Sequence, residues 1–163
     1  MKQKQKPFVA YGIVSAIVAI LFLLVLYLGG IKWFMHPVAY FGYLFPIVLA
    51  AIAAQKQKEL NGGYLNFSEA LKGVFLVFVI TAAATTLFSF ILFNYIDVAF
   101  REALNQRAAE VAGEFMRKFG ASEDDIDKAM EEAMSGNPNS PGKMLLGFAF
   151  YCIIWFIIAL IVA

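Results

Sequence analysis

Along the chain, uncharged apolar runs alternate with short charged stretches, and the length of the runs decides what they are. Residues 8–28, 38–54, 73–96 and 144–163 contain no Asp, Glu, Lys or Arg. Each run approaches or exceeds the roughly 20 helical residues that cross about 30 Å of hydrocarbon at about 1.5 Å per residue. The pattern predicts an all-α fold, an integral membrane four-helix bundle. Between the third and fourth runs the period changes. Phe100, Leu104, Ala108, Val111, Phe115 and Phe119 recur three or four residues apart and form an apolar stripe on one helix. That helix is predicted to run on from the third span and to stop at Gly120. Ser122, with Asp125 three residues later, marks a second start, and Glu123, Asp124 and Asp125 suit the positive end of its dipole. Ile126, Ala129, Met130, Ala133 and Met134 then form an apolar side that ends near Gly136, and residues 137–142 read as a turn-rich linker. The organisation is thus a single membrane domain over 1–163 carrying an extramembrane helical hairpin at 97–143.

Residues 55–72 join the second and third spans. Asn61-Gly62-Gly63 supplies the positive-φ positions that a tight turn demands. Asn66, with Glu69 three residues on, makes a capping-box-like start, so a helix is predicted to begin near Phe67 and feed the third span. No Lys-Ser/Thr follows the glycine pair at P-loop spacing and no strand precedes it, so the pair is a turn and not a phosphate cradle. Pro46, midway along the second run, lacks an N–H and predicts a bend. Tyr27, Trp33, Tyr40 and Tyr64 fall near the ends of runs, where amphipathic rings favour the headgroup layer. Trp155 falls mid-span, which predicts burial against another helix or contact with lipid.

Composition sharpens the picture. With 61% hydrophobic and 15% charged residues, the chain has too little polar surface for a soluble globule, which excludes a soluble enzyme. The net charge of +1 hides a partition: residues 1–7 hold three Lys and no acid, whereas 97–143 holds six basic residues against ten acidic ones. Basic residues are denser in 1–7 and 55–72 than in 29–37 and 97–143, which places the N- and C-termini in the cytoplasm. Residues 97–143 then lie on the opposite side of the membrane. The first run exceeds the roughly 7–15 apolar residues of a signal peptide, so it is read as a retained span. The chain stops at Ala163 without a basic or aromatic anchor, leaving two alternatives: an end in the interface, or a natural chain that continues.

Chemistry-bearing residues are few. His36 has no nearby Cys or carboxylate in sequence, and Cys152, the single cysteine, reads as an apolar packing residue. No catalytic residue, metal ligand or cofactor is expected, and no nucleic-acid partner. The spans lack the ionisable groups on which proton-coupled carriers and pumps depend. Their one polar feature is Thr81, Thr85 and Ser89, on one face of span three, with Thr86 and Asn94 nearby. This face reads first as a helix-packing surface and second as a solvent-lined pathway. Gly12, Ala16 and Ala19 form a matching small-residue seam, which pairs spans one and three.

Several residues together carry a resemblance to a family. Basic residues after span two, Gly62-Gly63, Phe67, a helix start with Ala70, Lys72 and Gly73, and Tyr11-Gly12 in span one resemble domain of unknown function 4199. The resemblance implies a four-span inner-membrane protein, mostly of Bacteroidota, with a long loop between spans three and four. It implies no activity or substrate. Members usually carry basic residues after the last span, which this chain lacks. The function expected from the residues is a non-enzymatic anchor or assembly subunit in the lipid bilayer, forming a homo-oligomer or binding another membrane protein. Phe100, Leu104, Val111, Phe115 and Phe119 would be the partner surface, while the carboxylates between Glu123 and Glu132 form a solvated anionic face without calcium-loop spacing. The alternative is a small passive channel, carrier or transporter accessory subunit.

Overall fold

The computed structural model describes residues 6–135 and 140–163, without the side chains of 132–135. Lys2, Lys4, residues 136–139 and the side chains of Glu132, Ala133 and Met134 lie outside this description. Seven α-helices are present among the described residues: α1 (Lys6–Leu28), α2 (Ile31–Phe34), α3 (Leu44–Leu60), α4 (Phe67–Ile91), α5 (Val98–Lys118), α6 (Glu123–Ser135) and α7 (Pro141–Val162). A 3-10 helix (Pro37–Tyr43) leads into α3, and a π-helical turn (Leu92–Ile96) ends α4. Four segments are long and apolar enough to cross a membrane: Lys6–Leu28, Pro37–Leu60, Phe67–Ile96 and Pro141–Val162.

Local sequence explains most boundaries. At the end of α3, Gly62 N–H donates to the Glu59 carbonyl and Gly63 N–H to that of Lys58. This is a Schellman closure, which needs a left-handed residue after the cap. Gly62 and Gly63 have φ of 76° and 95°, and a Cβ on either would meet nothing within 4 Å, so backbone conformation alone asks for glycine. At the end of α5, Gly120 N–H donates to the Arg117 carbonyl and Ala121 N–H to that of Met116, with Gly120 at φ 82°.

Two sequence expectations are corrected. Pro46 does not fall midway along an α-helix. The run opens as a 3-10 helix, α3 starts only at Leu44, and Pro46 falls in its first turn, where a missing N–H costs no intrahelical bond. The same helix continues past Ala54 to Leu60, because Gln, Lys and Glu are good helix formers and the first stop signal is Asn61-Gly62-Gly63. Nor does span three run on into the hairpin helix. Asp97 leaves helical geometry (φ −136°, ψ 79°), donates its N–H to the Leu92 carbonyl and accepts the Phe100 N–H with its side chain. It thereby closes the π-turn and caps a new helix in one residue.

The chain forms two compact units, Met1–Phe88 with Leu145–Ala163, and Ser89–Met144. The core of the first gathers Phe8, Ala50, Ala53, Val74, Val77, Phe78, Trp155 and Ala159. Trp155 is buried against Phe78, with ring centroids 4.5 Å apart. Phe22 meets Phe45 edge-on at 5.3 Å, and Phe75 meets Phe156 at 5.5 Å, so aromatic edges tie α1 to α3 and α4 to α7. The second unit is the last part of the third span with the hairpin α5–α6.

Candidate functional site

The hydroxyl row of the third span is engaged by protein. Thr81 Oγ1 is buried 2.8 Å from Ser15 Oγ on α1 and 2.9 Å from the carbonyl oxygen of Val77. A threonine hydroxyl carries one proton, so both contacts are satisfied together when Ser15 donates to Thr81 and Thr81 donates to Val77. Thr85 Oγ1 donates back to its own helix, 2.9 Å from the Thr81 carbonyl and 3.2 Å from that of Ala82. Ser89, half-buried, begins the second unit. A Cβ on Gly12 would come within 2.9 Å of Ile80, and one on Gly73 within 2.3 Å of the Phe8 ring. The arrangement brings two helices close and ties them with one hydroxyl pair, which is packing chemistry. Sequence reasoning placed Gly12 and Ala16 in this seam and missed Ser15, Phe8 and Gly73. Thr81→Val is expected to weaken the α1–α4 association by about 0.6–2 kcal/mol, measured by steric trapping in bicelles, with Ser15→Ala adding little on top.

The turn between α3 and α4 is built from four of the predicted residues, but one plays a different part. Gly62 and Gly63 close α3, and Asn66 Oδ1 accepts the Ser68 N–H at 3.1 Å. Glu69 does not reach back to complete the capping box; its Oε1 is buried without a hydrogen-bond partner. Gln57, fully buried at this end of α3, donates to Asn61 Oδ1 at 3.0 Å. At the other end of the second span, His36 Nδ1 accepts the Val38 N–H at 3.2 Å and caps the 3-10 helix.

In the second unit the hairpin closes through small residues. Ala109 and Gly113 of α5 are buried, and a Cβ on Gly113 would lie 3.1 Å from Met130 Sδ and 3.3 Å from Ile126 Cγ2. Ile126 is 1% exposed. The corner is fixed by Arg117, whose Nε and Nη2 donate to the two carboxylate oxygens of Glu123, each at 3.0 Å. Ser122 Oγ accepts the Asp125 N–H and donates to its carboxylate at 2.6 Å. The Arg117 guanidinium, first by hydrogen bonding and then by charge, holds Glu123 below the usual carboxylate range. A lowered folded-state pKa means the contribution is present above the unfolded value and lost as pH falls through the folded one. Amide exchange at the hairpin corner is therefore expected to rise as pH drops below about 4, at corrected intrinsic rates, and this step is expected to vanish in Glu123→Gln.

The stripe predicted as a partner surface divides. Phe100 is half-buried and stacks on Phe93 with centroids 5.9 Å apart, and Leu104 is half-buried. Val111, Phe115 and Phe119 are exposed by 40%, 61% and 76%, although the hairpin beside them is closed. Phe115 and Phe119 pack on each other at 4.5 Å. Ala109 and Gly113, four apart and opposite this stripe, were the missed signal; small residues at helical spacing mark close approach as clearly as large ones. Among the described residues no three His, Cys, Asp or Glu side chains are placed to hold a metal ion.

Four helical segments long and apolar enough to cross a membrane, with a polar hairpin between the third and fourth in sequence, define a multi-pass all-α membrane protein. The chain belongs to the family described as protein of unknown function (DUF4199), which matches residues 10–163. No curated protein and no solved structure matches it.

Proposed function

We propose that this protein is a non-enzymatic anchor or assembly subunit of a bacterial inner membrane, with cytoplasmic termini and the hairpin α5–α6 displayed on the outer side for protein contacts. One observation carries the reading. The Thr81 hydroxyl is buried against Ser15 of α1 and the Thr85 hydroxyl is spent on its own helix, whereas the chain builds a second compact unit with its own lock and caps. A structure that spends its polar groups on packing and its extra residues on a displayed hairpin suits tethering and assembly. The hairpin also carries a solvated row of carboxylates, Glu123, Asp124, Asp127 and Glu131, along exposed α6.

Cross-linking in native membranes tests the reading, comparing the intact chain with a variant whose residues 98–140 are replaced by a Gly/Ser linker. The intact chain is expected in a larger cross-linked species that the variant does not form. Equal recovery of both as monomers overturns the proposal.

A further inference from the structure

The exposed side of α5 has an order that the closed hairpin does not explain. At about 100° per residue, Phe100, Val111, Leu104, Phe115 and Phe119 fall within one arc of about 100°. Lys118 and Arg107 border that arc on one side and Arg101, largely covered and paired with Glu102 at 3.5 Å, on the other, while Glu110 and Glu114 lie beyond the Arg107 border. Arg107 is drawn toward the acidic side by Glu110 at 2.9 Å and Glu114 at 3.8 Å, and Lys118 makes no ion pair among the described residues. The acids of α6 sit on the element that packs against the opposite face, around Ala109 and Gly113.

The stripe also begins just after the end of a segment apolar enough to cross a membrane. Only Asp97 separates the last turn of the third span from α5, and all of these residues belong to one compact unit. The first turn of α5 is bound to that last turn by the parallel Phe93–Phe100 stack and by Arg101 Nη1 donating to Asn94 Oδ1 at 3.2 Å. An apolar arc that starts at the membrane boundary, has cationic borders and turns its acids away matches an interfacial amphipathic helix.

We propose that the Val111–Phe115–Phe119 face of α5 lies in the interfacial layer of the bilayer, with anionic lipid headgroups along its basic borders. The acidic side of α6 is then the hairpin surface left to the water and to proteins. The inference rests on the hairpin being the displayed element, and it narrows the protein-contacting surface to α6.

The test uses the full chain with Cys152→Ser, carrying a single cysteine at Ala108→Cys, Phe119→Cys, Asp124→Cys or Glu131→Cys and labelled with a polarity-sensitive fluorophore. Each variant is reconstituted in phosphatidylcholine vesicles, with and without phosphatidylglycerol. Labels at 108 and 119 are expected to be quenched several-fold more by lipids with a nitroxide near the headgroup than by aqueous iodide, and labels at 124 and 131 the reverse. Phosphatidylglycerol is expected to strengthen the lipid quenching at 108 and 119, and Lys118→Gln with Arg107→Gln to abolish that gain. Iodide access at all four sites overturns the inference. So does protection at 108 and 119 without lipid quenching, the result for a second copy or a protein partner on this face, and so does indifference to phosphatidylglycerol. Failure here with the larger cross-linked species intact removes only the lipid assignment, whereas loss of that species with lipid quenching intact removes only the assembly reading.

Discussion

Gly73→Ala is expected to destabilise the membrane bundle by about 1–3 kcal/mol, the range for forcing an extra carbon into a filled core. The new Cβ would sit 2.3–2.4 Å from three atoms of the Phe8 ring, and Phe8 is itself fully buried. The ring shares its buried core with Val74, Val77 and Ala53, so shifting it disturbs their packing or widens the separation of α1 and α4. Steric trapping in bicelles measures the loss. Phe8→Leu by itself is also expected to destabilise, by leaving a cavity, yet the pair Gly73→Ala with Phe8→Leu should be milder than the sum of the two. Strictly additive losses would mean that the two residues do not share one contact.

The second large effect belongs to the hairpin. Ile126→Ala is expected to raise amide exchange along α5 and α6 by about thirtyfold or more, from a loss of about 2–5 kcal/mol. Ile126 is buried to 1% exposure against Gly113, and the facing residues Ala109 and Gly113 are too small to close the gap it would leave. Hydrogen exchange of the reconstituted chain reads this directly. Amides of α1 and α3 should be unaffected, since they belong to the other compact unit. Lys128→Gln is the control: it is exposed on α6, and a change of within about 0.5 kcal/mol is expected. Hairpin exchange as slow in Ile126→Ala as in the parent would show that the two helices are held by the Arg117–Glu123 corner alone.

The parts of the architecture that were legible in the sequence are those governed by solvent or by neighbours a few residues away. Lipid requires long uncharged helices, and four runs supplied them. Caps and stops act locally, so Asn66 before Phe67, Ser122 before Glu123, and the glycines at 62, 63 and 120 could be read residue by residue. What was not legible depends on partners distant in sequence or on register. Whether a small residue is a seam or filler is settled only by what faces it, so Gly73 and Ser15 stayed hidden until Phe8 and Thr81 were beside them. The apolar run starts at Val38 but the α-helix only at Leu44, a start that no spacing in the run marks, and this puts Pro46 in the tolerant first turn. The break at Asp97 escaped notice because an apolar period continues across it, and only the i−5 hydrogen bond to Leu92 reveals the extra residue in the turn.

That extra residue widens the turn without advancing the helix by a full step. An α-helical turn holds one residue fewer, so deleting a single residue within Leu92–Ile96 would leave an ordinary α-turn that reaches Asp97 at nearly the same rotation about the helix axis, whereas the same deletion in the regular part of α4 would turn every residue after it by about 100°. The wide turn is thus the place where the third span can lose a residue with the least disturbance to its register.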